Sequence, residues 1–420
     1  MKQRANGSLR STFASAAFAI GLLMSASAPA QGGRADAEER DAAAQATIDA
    51  QTGRNLNEAI ELMNAENPAA AAQKISTLRL DRLSPYERGR VEQIMFSISV
   101  SREQYEEARA HLQAAIESGG LNAQEIDQAR YQSAQTYMQE EKWREGAAAL
   151  EEWLKTALNA NSAAYYFLAA AYFRLEDFAR ALPPAKKAVE LMDPAKPNEN
   201  WLSMLSALHL YREEYREAIP VLHQLITAAP AKKAYWMQLS SLYVQVEDYA
   251  NGLGILQLAS HAGLVTDDAD ARRLADLLLF NGVPYRGAQV LEDAIEKRIV
   301  TLDDSLYEKL ANCYIAAGEV DKSVAPLERA AELASSGDTF VRLGELQVQR
   351  QDWGAVIAAV RRGVDKGQLK DPGNAELLVG VAHYSQKNYA AAVPFLERAR
   401  QSAKHRQIAD TYLQAIRALD

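Results

Sequence analysis

The sequence predicts an all-α chain, a solenoid of about ten helix pairs closed by a C-terminal capping helix. Three observations lead there. The phrases EQYEEARAHLQAA, EKWREGAAALEEW, EDFARALPPAKKA, EEYREAIPVLHQL and EDYANGLGILQLA recur, each with an aromatic residue and a small residue three later. The anchors Ala71, Ala108, Gly146, Ala181, Ala218, Gly252, Gly287, Ser323, Val356 and Ala392 are spaced 37, 38, 35, 37, 34, 35, 36, 33 and 36 residues apart. Upstream of the anchors, Trp236-x-x-Leu239-Ser240-x-x-Tyr243, Tyr165-x-x-Leu168-Ala169-x-x-Tyr172, Tyr307-x-x-Leu310-Ala311-x-x-Tyr314 and Phe340-x-x-Leu343-Gly344 place apolar residues on one helical face. No segment alternates with period two for long, so no sheet is expected. One helix pair cannot bury its apolar face alone, whereas stacked pairs bury a continuous core.

The N-terminus reads as an export signal. Lys2, Arg4 and Arg10 precede an uncharged apolar run from Phe13 to Met24, followed by Ala28-Pro29-Ala30. A basic start, an apolar stretch too short to span a bilayer and a small-residue site define a secretory signal peptide over residues 1–30. Cleavage after Ala30 avoids a proline at the first mature position. The mature chain would begin at Gln31, and losing three cations would take the net charge from −9 to −12. Residues 31–50, rich in Ala, Asp, Glu and Gln, are expected as a flexible linker. Residues 51–402 carry the repeats, with breaks at Ser84-Pro85, Pro230 and Glu247-Asp248. Residues 403–420, with Ile408, Tyr412 and Ile416 on one face, are expected as the capping helix.

Composition narrows the function. The chain is 48% hydrophobic and 24% charged, as in soluble globular proteins. Its negative charge opposes general binding to nucleic acid or anionic membrane. Cys313 is the single cysteine, so no intramolecular disulfide forms, and export without disulfides suits a bacterial periplasm. No two of the six histidines lie three or four apart, and no GxxxxGK[ST], GxGxxG or GxSxG occurs. Cys313 reads as a small core residue, His209 and His383 as packed replacements for Tyr, and Gly252-x-Gly254 as helix packing. The acidic pairs Glu106-Glu107, Glu151-Glu152 and Glu213-Glu214, on second helices or their entries, read as solvated faces and helix N-terminal charge compensation. No catalytic, cofactor or metal site is expected.

The pattern resembles the tetratricopeptide repeat, a helix–turn–helix unit of about 34 residues. The resemblance implies a right-handed superhelical solenoid, whose first helices line a concave groove through repeat positions 2, 5, 9, 12 and 13. Those positions hold Tyr131, Met138, Tyr166, Phe173, Arg174, Asn200, Tyr211, Met237, Gln245, Arg272, Phe280, Asn312, Gln349 and Tyr384. The stripe suits a peptide or helix of a protein partner. A two-carboxylate clamp, which the family builds from Lys and Asn at positions 5 and 9, is not expected. Only Asn312 matches it.

Between residues 160 and 415 the phrases HAGLV, NGVPYRGAQVLE and DKGQLKDPGNAELLVGVAHYSQKNYAAAV resemble a narrower family. It is the exported tetratricopeptide protein associated with TonB, ExbB and ExbD in Proteobacteria. That resemblance implies a periplasmic, non-catalytic accessory of TonB-dependent transport, with TonB or ExbD as partner. The alternative is a general cell-envelope scaffold for outer-membrane, peptidoglycan or polysaccharide-export assembly.

Overall fold

A computed structural model describes residues 47–419. The expected signal peptide and most of the expected linker lie outside the described residues. Among these there are 21 α-helices, one short 3-10 turn and no strand, and no helix is long and apolar enough to cross a membrane. The chain divides into two units, one ending at Ala228 and the other beginning at Ala229.

The first unit holds five hairpins. They are α1 (Ala50–Asn64) with α2 (Pro68–Ser76), α3 (Pro85–Ser101) with α4 (Tyr105–Glu117), α5 (Ala123–Gln139) with α6 (Trp143–Leu154), α7 (Ser162–Arg174) with α8 (Phe178–Glu190), and α9 (Glu199–Tyr211) with α10 (Tyr215–Ala228). The second unit holds five more and a final helix. They are α11 (Lys233–Gln245) with α12 (Tyr249–His261), α13 (Asp268–Phe280) with α14 (Pro284–Glu296), α15 (Asp304–Ala316) with α16 (Val320–Leu333), α17 (Asp338–Gln349) with α18 (Trp353–Lys366), α19 (Pro372–Ser385) with α20 (Tyr389–Ala399), and α21 (Arg406–Arg417). Within each unit a helix packs mainly on its sequence neighbours, as expected of a stacked repeat.

The repeat spacing is set by one turn used ten times. The residues Glu66, Glu103, Glu141, Glu176, Glu213, Glu247, Gly282, Gly318, Gln351 and Lys387 all adopt positive φ, and each lies five residues before an anchor. The following backbone N–H closes the first helix, as in Asp177 to Tyr172 O at 2.9 Å, Asp248 to Tyr243 O at 2.8 Å and Asn388 to His383 O at 2.9 Å. This is the left-handed helix stop that glycine adopts most cheaply. Glu247 (φ 63°) carries a side chain there, so Glu247→Gly should stabilise the fold by about 0.5–1 kcal/mol. A lower midpoint in urea unfolding would contradict that.

The anchors sit where the two helices of a hairpin touch. Ala71, Ala108, Ala181, Ala218, Ser323, Val356 and Ala392 are fully buried. A Cβ on Gly252 would lie 3.2 Å from Ser240 O, and one on Gly287 would lie 3.1 Å from Cys313 Sγ. Cys313 is itself buried, its thiol pushed up to about 11 by desolvation. Gly254 departs from expectation: a Cβ there would meet nothing within 4 Å, so it is not a packing residue.

The C-terminal helix docks through Ala409, Leu413 and Ile416, with Tyr412 partly buried beside them. Ile408 points outward at 48% exposure, because it is displaced around the helix from that face. Asp371 caps α19 by accepting the Asn374 N–H at 3.0 Å and receives Lys404 Nζ at 2.7 Å. The buried His405 ring places Nε2 3.0 Å from the same carboxylate. The Lys404 and His405 bonds, with the cap, hold Asp371 at about 2, below its ordinary 3.8. A depressed carboxylate stabilises the fold above its unfolded value and loses that stabilisation as pH falls through the folded one. Docking of α21 should therefore weaken between about pH 4 and 2, read as faster amide exchange in α21. Asp371→Asn should remove that pH dependence, and an identical profile in the variant would contradict the assignment.

Candidate protein-binding face

First helices of successive hairpins touch one another. In the first unit α1 meets α3 and α5 meets α7; in the second α13 meets α15, and α17 and α21 both meet α19. Second helices make no comparable approach. The first helices therefore line the inner, more tightly curved side of each stack. The two units dress that side differently.

In the first unit the face is aromatic. Phe173 at the end of α7 lies 5.4 Å from Phe178 and 6.0 Å from Tyr211, measured between ring centroids. Phe178 stacks on Tyr211 at 4.5 Å with planes 8° apart. All three rings are half-buried and keep an edge in solvent. Asn200, at the start of α9, is exposed. Arg174 lies 5.6 Å over the Trp143 ring.

Two expected groove tyrosines and Met138 belong to the core instead. Tyr131 is 9% exposed and stacks at 4.6 Å on Trp153, whose indole N–H donates to Asp127 at 2.9 Å. Burial pushes its hydroxyl up to about 12. Tyr166 is 8% exposed and lies 5.8 Å from Trp201 on the next first helix, its hydroxyl also raised by burial. Met138 is buried over Gly146, where a Cβ would come within 2.8 Å of its methyl carbon. Tyr131 and Met138 fill the space between the two helices of their own hairpin, and Tyr166 fills a gap between successive hairpins.

In the second unit the face is a polar ladder. Arg273 Nη1 donates to Ser241 Oγ at 3.0 Å, Lys309 pairs with Asp276, and Arg342 bonds Asn312. Asn374 Nδ2 donates to Glu345 at 2.7 Å, and Thr339 Oγ1 to Glu308 at 3.1 Å. Each rung links the first helices of adjacent hairpins. Asn312 is thus engaged by its neighbour. Arg272 is not a ligand-facing residue: it is held by Asp268, by Thr301 O at 2.9 Å and by Asp303 at 3.0 Å. It acts as a clasp between α13 and the loop before α15. Met237 packs into the core with Leu253, Leu256 and Leu274. Tyr384 packs on Tyr389 and Tyr412, at 5.5 and 4.9 Å. Phe280 stays 66% exposed, 4.3 Å from Tyr249, and Gln245 and Gln349 are exposed.

The ladder cations escaped the sequence reading although they carry a signal. Arg273, Lys309 and Arg342 each lie fourteen residues before an anchor, and Ser241, Asp276, Asn312 and Glu345 each lie eleven before one. Phe178 and Trp201 were missed because they sit at the start of a second helix and the first turn of a first helix, outside the positions the resemblance favours.

These hairpins define a protein built of stacked helical repeats. A tetratricopeptide-repeat family model matches residues 131–199 and 341–405, one stretch in each unit. No curated protein matches the chain. Among solved structures, the chain is similar to YrrB, a tetratricopeptide protein with an unusual peptide-binding site, at 19% identity over 44% of this chain and 88% of that one, with a TM-score of 0.34. MamA from Desulfovibrio magneticus RS-1 aligns at 15% identity over 41% of this chain and 94% of its own, with a TM-score of 0.33. A tetratricopeptide repeat protein from Parabacteroides merdae ATCC 43184 aligns at 15% identity over 61% and 98%, with a TM-score of 0.30.

Proposed function

We propose that the chain is a periplasmic, non-catalytic scaffold that binds a protein partner through its inner first-helix face, as an accessory of TonB-dependent outer-membrane transport. The scaffold reading is carried by the half-buried rings of Phe173, Phe178 and Tyr211, which keep apolar edges in solvent on that face. Aromatic side chains that are partly exposed and held in place by stacking lose little entropy on binding, and such residues dominate protein interfaces. Export is supported by the order of Lys2, Arg4, Arg10, the apolar run and Ala30. The TonB association is supported by the resemblance of the phrases HAGLV, NGVPYRGAQVLE and DKGQLKDPG.

The test is binding of the mature chain to the periplasmic regions of TonB and ExbD, each immobilised separately. Saturable binding to one of them is expected. Failure with both, together with recovery of the chain on another envelope assembly, would favour the general scaffold. N-terminal sequencing of the exported protein should return Gln31 as its first residue. Retention of residues 1–30 would contradict the export reading.

A further inference from the structure

A cleft of about 630 Å³ opens between α14, α15 and α16, away from the polar ladder, and is lined by Tyr285, Glu292, Tyr307, Tyr314, Lys322 and Pro326 among others. The buried Tyr314 hydroxyl donates to Glu292 and fixes it at the cleft. Glu292 is exposed, and among the described residues no cation pairs with it. Tyr285, 39% exposed, and the half-buried Tyr307 supply aromatic walls. Lys322 is drawn aside: its Nζ lies 4.9 Å over the Tyr285 ring, 3.2 Å from that hydroxyl and 3.3 Å from Glu319.

The same tyrosine–glutamate construction occurs in the first unit, with a guanidinium on its tyrosine. There Tyr172 donates to Glu151. Tyr172 and Tyr314 each lie nine residues before an anchor, and Glu151 and Glu292 each five after one. Arg180 and Lys322 each lie one residue before an anchor. Arg180 sits 4.6 Å over the Tyr172 ring, and the cleft around it is smaller, about 350 Å³. One copy keeps its own guanidinium on the motif tyrosine, where it pairs with Asp177 at 2.7 Å. The other holds its lysine on a different ring and leaves a carboxylate without a counter-charge.

We infer that the Tyr285–Glu292–Tyr307 cleft receives a basic side chain, arginine or lysine, from a partner polypeptide. The cation would sit against the tyrosine faces and pair with Glu292, combining cation–π attraction with a charge-assisted hydrogen bond. Lys322 is the resident competitor. This inference stands apart from the inner-face reading and survives its failure.

The test uses the mature chain carrying 3-fluorotyrosine, with fluorine resonances assigned by the Tyr172→Phe, Tyr285→Phe and Tyr307→Phe variants. An acetylated, amidated tri-arginine peptide is titrated, and a tri-glutamate peptide serves as the opposite probe. Tri-arginine should shift the Tyr285 and Tyr307 resonances saturably and leave Tyr172 unmoved. Glu292→Gln should raise the dissociation constant tenfold or more without changing helicity, and Lys322→Ala should lower it several-fold. No saturable shift, no effect of Glu292→Gln, or weaker binding after Lys322→Ala would overturn the inference. Preferential binding of tri-glutamate would instead make the cleft an anion site built on Lys322.

Discussion

Gly337→Ala should destabilise the second unit by about 3 kcal/mol, lowering its melting temperature by roughly 6–12 °C. Gly337 precedes α17 and crosses the end of α18, where a Cβ would fall 1.9 Å from Gly363 O and 2.7 Å from Gly363 C. The obstacle is backbone, so no rotamer change relieves it. The crossing is also bonded, because the Gly337 N–H donates to Gly367 O at 2.8 Å. Opening the crossing to admit a methyl group would stretch that bond. Gly254→Ala provides the opposite sign. Gly254 lies inside α12 with open space around it, so alanine there should stabilise by about 0.5–1 kcal/mol. Thermal unfolding of the two variants checks both. Equal effects would show that the close crossing is not what glycine serves at position 337.

Replacing Phe173 and Tyr211 together by alanine should weaken partner binding at least tenfold, about 1.4 kcal/mol or more, with helicity nearly unchanged. Both rings are half-buried, and what they lose is chiefly contact with Phe178 and with each other. Tyr166→Ala should behave differently. Tyr166 is almost fully enclosed beside Trp201, and deleting such a ring costs about 3 kcal/mol of fold stability. A Tyr166 variant that lost binding while keeping its full unfolding midpoint would contradict this division.

The division explains what the sequence could and could not convey. The small anchors announced the hairpins because each marks a helix crossing where little volume is tolerated, as at Gly287 beside Cys313. The glutamates that open the recurring phrases marked the turns, since Glu103, Glu141, Glu176, Glu213 and Glu247 are the left-handed helix stops. The face of a first helix was legible from its spacing, but the neighbour that each side chain meets was not. Tyr166 and Phe173 lie seven residues apart on α7, yet Trp201 covers the first and the second keeps an edge in water. Arg272 and Arg273 are adjacent, and only the loop at Thr301 and Asp303 separates a clasp from a ladder rung. These outcomes depend on residues about thirty positions away, brought near by stacking. Local periodicity holds no record of them.

A partner protein is expected to bind the inner first-helix face. Photo-crosslinking in living cells tests it, with p-benzoylphenylalanine introduced at Tyr211 or Asn200 on that face and at Glu217 on α10, which is exposed on a second helix. Discrete adducts to one envelope protein are predicted from Tyr211 and Asn200, with none from Glu217. Adducts arising only from Glu217 would contradict the claim.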